Sequence, residues 1–92
     1  MRFEFDSAKS SANKAKHGID FIEAQALWID PDRIEIPARA TSEPRFQVIG
    51  RIGPAIWSAF ITYRYEATRI VSVRRAREEE RAIYLDEEAG DG

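Results

Sequence analysis

The chain has 92 residues, of which 43% are hydrophobic and 33% charged, so we expect a single domain over residues 1–92 and exclude a multidomain enzyme or a disordered chain. The absence of cysteine excludes disulfides, thiolate zinc sites and a cysteine nucleophile, and it fits a reducing cytoplasm. The net charge of −2 is distributed unevenly along the chain. Residues 1–77 hold 13 Lys or Arg against 9 Asp or Glu and are basic, whereas residues 78–92 hold 1 against 7 and are acidic.

The N-terminal residues predict a short strand followed by a helix. They are charged and lack a long apolar run, so neither a signal peptide nor a membrane span is expected. Phe3 and Phe5 alternate with polar residues, as in a strand. Asp6 is a suitable N-cap for a helix that runs to His17 and ends at Gly18. The predicted small-residue face of this helix consists of Ala8, Ala12 and Ala15.

A second helix is predicted directly after the first. Asp20 and Glu23 have the spacing of a capping box, which marks its start. Pro31 marks its end. Its apolar stripe consists of Phe21, Ala24 and Trp28.

Four strands follow, because the hydrophobic period changes from helical to alternating. Ile34 and Ile36 mark the first of them, and residues 37–44 are expected to form a loop that closes a hairpin. The next strand has one apolar face with Phe46, Val48 and Ile52, and one polar, cationic face with Arg45, Gln47 and Arg51. Residues 56–64 are apolar on both alternations, which predicts a central strand. The last strand covers residues 69–75.

A final helix completes an α+β fold. Residues 78–80 are all Glu, which suits the positive end of a helix. The predicted packing face of this helix consists of Ala76, Glu80, Ile83 and Tyr84, and residues 85–92 are expected to fray. We therefore predict an antiparallel sheet of four to five strands with two N-terminal helices and one C-terminal helix.

Arginines are concentrated in the second half of the chain. Residues 40–77 hold seven Arg against two Glu, a surface that would attract phosphates through bidentate guanidinium contacts. Regular alternation places Arg69 and Arg75 on one strand face and Arg74 on the other. The alternative is that these arginines are solvated and pair with the acidic last helix.

His17 is the single histidine, which argues against a metal site built from imidazole ligands. At a helix C-terminus it is suited to proton transfer or is simply solvated. Aromatic strand residues could stack nucleic-acid bases, but such residues more often belong to a core. They are Phe46, Trp57, Tyr63 and Tyr65.

Three sets of residues resemble one family, the BrnT toxins of bacterial type II toxin–antitoxin modules. The first set is Phe5-Asp6, Lys9, Asn13, Lys16-His17-Gly18, Phe21 and Glu23-Ala24. The second is Arg45-Phe46 with Ile49-Gly50. The third is Arg69-Ile70, Ser72, Arg74-Arg75-Ala76, Glu80-Arg81 and Tyr84.

This resemblance implies a small fold like that of the RelE ribonucleases and a cytoplasmic toxin that cuts RNA and inhibits translation. It implies neutralisation by a ribbon-helix-helix antitoxin, BrnA, in a hetero-oligomer expected to be a heterotetramer. Operator DNA would be bound only through the antitoxin, and no membrane is involved.

The same resemblance supports a set of site residues, whose roles follow from the chemistry of RNA cleavage without a metal or cofactor. We expect Arg45 and Arg74 to clamp the phosphate, with Arg69 or Arg75 assisting. His17 is the candidate for proton transfer. Lys16 and Arg75, which belong to the motif sets, are expected to bind RNA, and Arg51 is added to them from the cationic strand face.

Two other functions stay open at this point. A non-catalytic interaction module would use the arginine-rich sheet face to bind an acidic or extended peptide. A nucleic-acid-binding regulator is less well supported, because no predicted helix carries a basic recognition face.

Overall fold

The computed structural model describes residues 1–39 and 42–90, which form a five-stranded sheet with helices on both faces. The strands are β1 (Arg2–Glu4), β2 (Ile34–Ala38), β3 (Arg45–Ile52), β4 (Ala55–Arg64) and β5 (Ala67–Arg75). The helices are α1 (Ser7–His17), a 3₁₀ helix (Glu23–Ile29) and α2 (Glu78–Gly90). The predicted α+β class and element order are confirmed, although the second helix has 3₁₀ geometry. No helix in this part of the chain is both long and apolar enough to cross a membrane.

The strand order is β1-β5-β4-β3-β2, which puts the predicted central strand, β4, in the middle. Neighbouring strands are antiparallel except that β1 runs parallel to β5, so the sheet is mixed and not purely antiparallel as predicted. β2 and β3 form the predicted hairpin, and β2 includes Pro37 and Ala38 from the segment predicted as its loop. Residues 40 and 41 of that segment lie outside the described residues.

The main core lies between the sheet and the layer formed by α1 and the 3₁₀ helix. Phe21, Ala24 and Leu27 from this layer pack with Val48 and Ile61 of the sheet, and all five are buried. Leu27 thus adds to the apolar stripe that the sequence predicted. The 3₁₀ helix is held by these apolar contacts, which compensate for its poorer hydrogen-bond geometry.

α1 meets the sheet through polar residues, and its small-residue face is turned to solvent. Ser10 and Asn13 are buried, whereas Ala8, Ala12 and Ala15 are exposed. The reason is that β1 pairs only with Ala67–Arg69 and leaves the outer edge of β5 open beyond them. The Asn13 amide donates to the Val73 carbonyl at 2.9 Å and accepts from the Val73 N–H at 3.2 Å, which closes that edge.

The helix ends follow the local signals in the sequence. Oδ1 of Asp6 accepts from the Lys9 N–H at 3.0 Å, and Gly18 ends α1 with a φ of 82°, a conformation that favours glycine. Oδ1 of Asp20 accepts from the Glu23 N–H at 2.7 Å, and Oε1 of Glu23 accepts from the Asp20 N–H at 2.9 Å. The predicted N-cap, C-cap and capping box are therefore confirmed.

α2 covers part of the opposite sheet face. Tyr84 is 1% exposed and packs against Ile49 and Ile56. Glu80, one turn earlier, is also buried, whereas Ile83 is 43% exposed, so the predicted packing face is wrong for Ile83. The helical backbone continues to residue 90, into the segment predicted to fray.

Candidate functional site

β5 contains a β-bulge. Phe60 of β4 lies opposite Ser72, but the next residue, Ile61, lies opposite Ile70. Val71 is therefore an extra residue with no counterpart on β4. One extra residue reverses the alternation of the side chains beyond it.

The bulge brings Arg69 and Arg74 to the same sheet face, the one that α2 partly covers. The sequence-based prediction, which placed Arg74 opposite Arg69, is therefore wrong, because it assumed regular alternation. Arg75 points to the face of the main core, where its guanidinium lies 5.4 Å from the Trp57 ring centroid.

We call the part of this face beside α2 the arginine face. Arg69 lies opposite Thr62 of β4. Arg45 precedes Phe46, which lies opposite Ile61, so Arg45 flanks Thr62 from the other side. Because neighbouring strands are about 4.8 Å apart, the Cα atoms of Arg45 and Arg69 are about 10 Å apart. The arginine face consists of Arg45, Phe60, Thr62, Arg69, Ser72 and Arg74.

Two guanidinium groups of this face are loosely held. The Arg45 side chain is exposed and makes no hydrogen bond or ion pair with another residue in the described ranges. Nη1 of Arg69 lies 3.7 Å from Oε1 of Glu4, a partly exposed ion pair of low strength. Both side chains thus retain N–H donors for an anionic ligand.

Arg74 is held firmly by Glu80. Nη1 of Arg74 donates to Oε1 of Glu80 at 2.7 Å, and Nη2 donates to Oε2 at 2.8 Å. The same guanidinium lies 5.1 Å from the ring centroid of Phe60. The alternative interpretation, in which arginines pair with the last helix, therefore holds for Arg74.

Glu80 is buried, yet it is fully charged at neutral pH. The hydrogen bonds from Arg74 have the largest effect, and together with those from the Arg77 N–H, Gln47 and Ser58 they outweigh burial and lower the pKa of Glu80 to about 2. Glu80 in turn raises the pKa of Arg74. The pair is therefore a fixed feature of the site.

His17, Lys16 and Arg75 lie near the edge of the sheet and not on the arginine face. α1 follows β1 along β5 with Asn13 at Val73, so His17, one helical turn further, lies level with the end of β5. His17 is half-buried, and its side chain makes no hydrogen bond or ion pair with the rest of the described chain. The predicted catalytic residues thus fall into two groups, three arginines on the arginine face and His17 beside the end of β5.

Comparison with protein families decides between the functions that the sequence left open. A family profile described as the ribonuclease toxin BrnT of type II toxin–antitoxin systems matches residues 5–80. The chain belongs to the BrnT family. A comparison with curated proteins gives no match. The resemblance found in the sequence is therefore confirmed, and with it a ribonuclease toxin that acts on RNA and has an antitoxin partner.

Arg51, a predicted RNA-binding residue of this BrnT protein, lies beneath α2. Its guanidinium is 5.6 Å from the Tyr84 ring centroid. The backbone N–H of Arg51 donates to Oδ2 of Asp30 at 2.8 Å. Burial acts to raise the pKa of Asp30, but the hydrogen bonds from Tyr84 and from backbone N–H groups outweigh it, so the pKa lies below its usual value. Arg51 is thus placed where α2 attaches to the sheet.

The aromatic residues of the BrnT sheet do not form one stacking surface. Phe46 and Trp57 pack against the main core, as the core interpretation predicted. Tyr63 is 47% exposed and donates to Glu35 at 2.7 Å, and burial together with this hydrogen bond raises its pKa to about 12. Tyr65 is fully exposed in the turn before β5.

Sequence reasoning missed three residues that shape the BrnT site. Phe60 was hidden in an apolar strand, and its position beneath Arg74 follows from the pairing of β4 with β5. Gln47 and Ser58 are buried polar residues that donate to Glu80 at 2.7 and 3.0 Å. The sequence did contain a signal for these two residues, because a polar residue in a strand of apolar residues needs a hydrogen-bond partner when it is buried.

Proposed function

We propose that this BrnT protein cleaves RNA on the arginine face without a metal ion. The 2′-hydroxyl attacks the adjacent phosphorus, the bond to the 5′-oxygen breaks, and the products are a 2′,3′-cyclic phosphate and a 5′-hydroxyl. The observation that carries the proposal is the bulge at Val71, because it places Arg69 and Arg74 on one face with Arg45. Loss of messenger RNA in the cytoplasm would then inhibit translation.

The three arginines would stabilise the charge that builds up on phosphorus. Arg45 and Arg69 flank Thr62 and keep unused donors, so they suit a clamp on neighbouring phosphates. Ser72 is exposed between Arg69 and Arg74 and offers a hydroxyl for a further hydrogen bond. Phe60 gives the face a half-buried ring on which part of a base could rest.

His17 is proposed to transfer a proton, with Lys16 and Arg75 holding the RNA where it passes the end of β5. The support for this role is the chemistry of imidazole, which can both accept and donate a proton, and not a contact with the arginine face. Replacement by Ala should slow cleavage of the labelled RNA. If His17→Ala keeps the parental rate, another group transfers the proton.

For the partner, we propose a ribbon-helix-helix antitoxin of the BrnA type that forms a heterotetramer with the toxin and alone contacts operator DNA. The family match supports an antitoxin. Sedimentation of the co-purified complex gives its stoichiometry. Operator binding by the toxin alone would contradict the proposed division of roles.

Cleavage of a 5′-labelled RNA by the purified chain tests the activity. Replacing Arg45, Arg69 or Arg74 by Ala should each lower the rate by about 10²-fold, the usual effect of removing one donor from a transition-state site. Arg33→Ala is the control, because Arg33 lies in the turn before β2 and away from this face.

Two further arms test the chemistry. DNA of the same sequence should stay intact because it lacks the 2′-hydroxyl, and excess EDTA should leave the rate on RNA unchanged. Loss of activity with EDTA that Mg²⁺ restores would contradict metal independence.

Induction of the chain alone in a bacterial host tests the toxin function in cells. We expect growth arrest and RNA breakdown that Arg74→Ala relieves. Normal growth with soluble protein and intact RNA would favour the interaction-module alternative instead.

A further inference from the structure

We propose that Glu80 positions Arg74 so that the free edge of its guanidinium faces the RNA phosphate. The proposal rests on the function proposed above, because it assigns a task to a residue that supports the arginine face. Glu80 is thus a positioning residue, and it acts on RNA only through Arg74.

The first argument is the number of donors on Arg74. A guanidinium has five N–H groups. In Arg74 the two on Nη1 donate to Glu80 and to the Arg75 carbonyl at 3.2 Å, and one of the two on Nη2 donates to Glu80. The Nε–H and the second Nη2–H remain, and they lie on the same edge of the planar group. That edge has the geometry for a bidentate contact with a phosphate.

The second argument is the way in which the Glu80 carboxylate is fixed. Oε1 accepts from Ser58 at 3.0 Å and from the Arg77 N–H at 2.8 Å, and Oε2 accepts from Gln47 at 2.7 Å. These donors come from β4, from the residue before α2 and from β3. The carboxylate therefore cannot turn without breaking contacts to several elements, and it holds Arg74 in one orientation.

The third argument is burial. The Glu80 side chain is 12% exposed and that of Arg74 is 21% exposed. A phosphate that displaced Glu80 from Arg74 would leave a buried carboxylate without its main cation, which is unfavourable. Binding at the free edge keeps the pair intact. If Glu80 instead occupied the position of the phosphate and blocked it, removal of its charge would speed up cleavage.

The test compares Glu80→Gln with Glu79→Gln, its exposed neighbour, which loses the same charge. Both variants are assayed on the 5′-labelled RNA under single-turnover conditions, and RNA binding is measured at the same salt concentration. For Glu80→Gln we expect cleavage to slow by about 10- to 100-fold, as for a small misplacement of a catalytic group. Its RNA affinity should stay within about twofold or increase, because the loss of one carboxylate makes the net charge less negative. Glu79→Gln should cleave like the parent.

Three results would overturn the positioning role. They are faster cleavage by Glu80→Gln, an unchanged rate in a folded Glu80→Gln protein, and further slowing when Glu80→Gln is added to Arg74→Ala. Because Glu80 acts only through Arg74, the double variant should match Arg74→Ala. If Arg74→Ala alone cleaves normally, it is the proposed function of the arginine face that fails.

A second variant covers the case in which Glu80→Gln does not fold. Ser58→Ala removes one donor to the carboxylate and leaves Arg74 and Glu80 in place. We expect a smaller loss of cleavage rate in the same direction, again absent on the Arg74→Ala background. An unchanged rate in folded Ser58→Ala would then count against the proposal.

Discussion

Asn13 joins three parts of the molecule through one side-chain amide. It bonds both backbone groups of Val73 in β5 and donates to the carbonyl of Ile19 at 2.8 Å. The residue is 8% exposed, so water cannot readily replace these bonds. A single amide thus connects α1, the segment after it and the open edge of the sheet.

Replacing Asn13 by Ala should lower the free energy of unfolding by about 3 kcal/mol, because buried backbone groups would lose their partners. Urea unfolding followed by tryptophan fluorescence measures the change. Ser11→Ala is the control, since Ser11 is exposed on the same helix and should shift stability by less than about 0.5 kcal/mol. A loss below about 1 kcal/mol for Asn13→Ala would show that the edge of β5 does not need this side chain.

Glu80 also makes stability depend on pH. Hydrogen bonds, chiefly those from Arg74, lower its folded-state pKa to about 2 in spite of burial, below that of an unfolded glutamate, so the folded state binds this proton less readily. The contribution is complete above about pH 5 and is lost as the pH falls towards 2. Unfolding free energies measured over this range should fall more steeply for the parent than for Glu80→Gln. Glu79→Gln is the control and should retain the parental slope. Equal slopes for the parent and Glu80→Gln would show that Glu80 is not the source of the pH dependence.

At the scale of elements, β5 is the strand that makes the site. Its first part pairs with β1 and its last part lies beside α1, while the bulge between them selects the side chains for each face. If all residues of β5, Val71 included, paired with β4 in regular alternation, Arg69 and Arg74 would lie on opposite faces. The composition of the arginine face therefore depends on the bulge and not on the regular part of the strand.

Deleting Val71 should leave a protein that folds. Because Val71 is the extra residue, its removal returns β5 to regular alternation and leaves Ile70 in the core and Ser72 on the arginine face. Deleting Val73 should prevent folding, since it reverses the faces of the residues that follow. Circular dichroism during thermal unfolding distinguishes the two outcomes, and a deletion of Val71 that shows no cooperative transition would contradict the argument.

Sequence reasoning succeeded where the signal was local. Asp6, Gly18 and the Asp20–Glu23 pair act on backbone within a few residues, so their effect could be read directly. The bulge at Val71 and the burial of Asn13 arise from packing between distant segments, and a polar residue in an alanine-rich helix looks exposed until its partner strand is known. The roles of individual residues in cleavage stay predictions.

At the scale of the whole molecule, the uneven charge should govern RNA binding. The basic body holds the arginine face, while three Glu open α2 beside it. RNA is attracted by the arginines and repelled by the exposed Glu78 and Glu79, so the bound strand should follow the arginine face and pass the end of β5 without crossing α2.

RNA affinity should fall as salt rises. Three phosphate contacts to a single strand predict a slope of about −2 in a plot of log affinity against log salt, from about 0.7 for each contact. Fluorescence anisotropy with a labelled RNA gives this slope for the parent and for Arg45→Ala, which should lose about one third of it. A slope near zero would show that binding does not depend on these phosphates.

The short β1 and the proline in β2 have a consequence for how other chains can attach. β1 has three residues, and Pro37 removes a backbone donor from β2, the strand at the other edge. Short and proline-containing edge strands are poor templates for β-augmentation. An antitoxin that binds this protein should therefore dock through side chains on its surfaces, and the sheet should resist the edge-to-edge pairing that leads to aggregation.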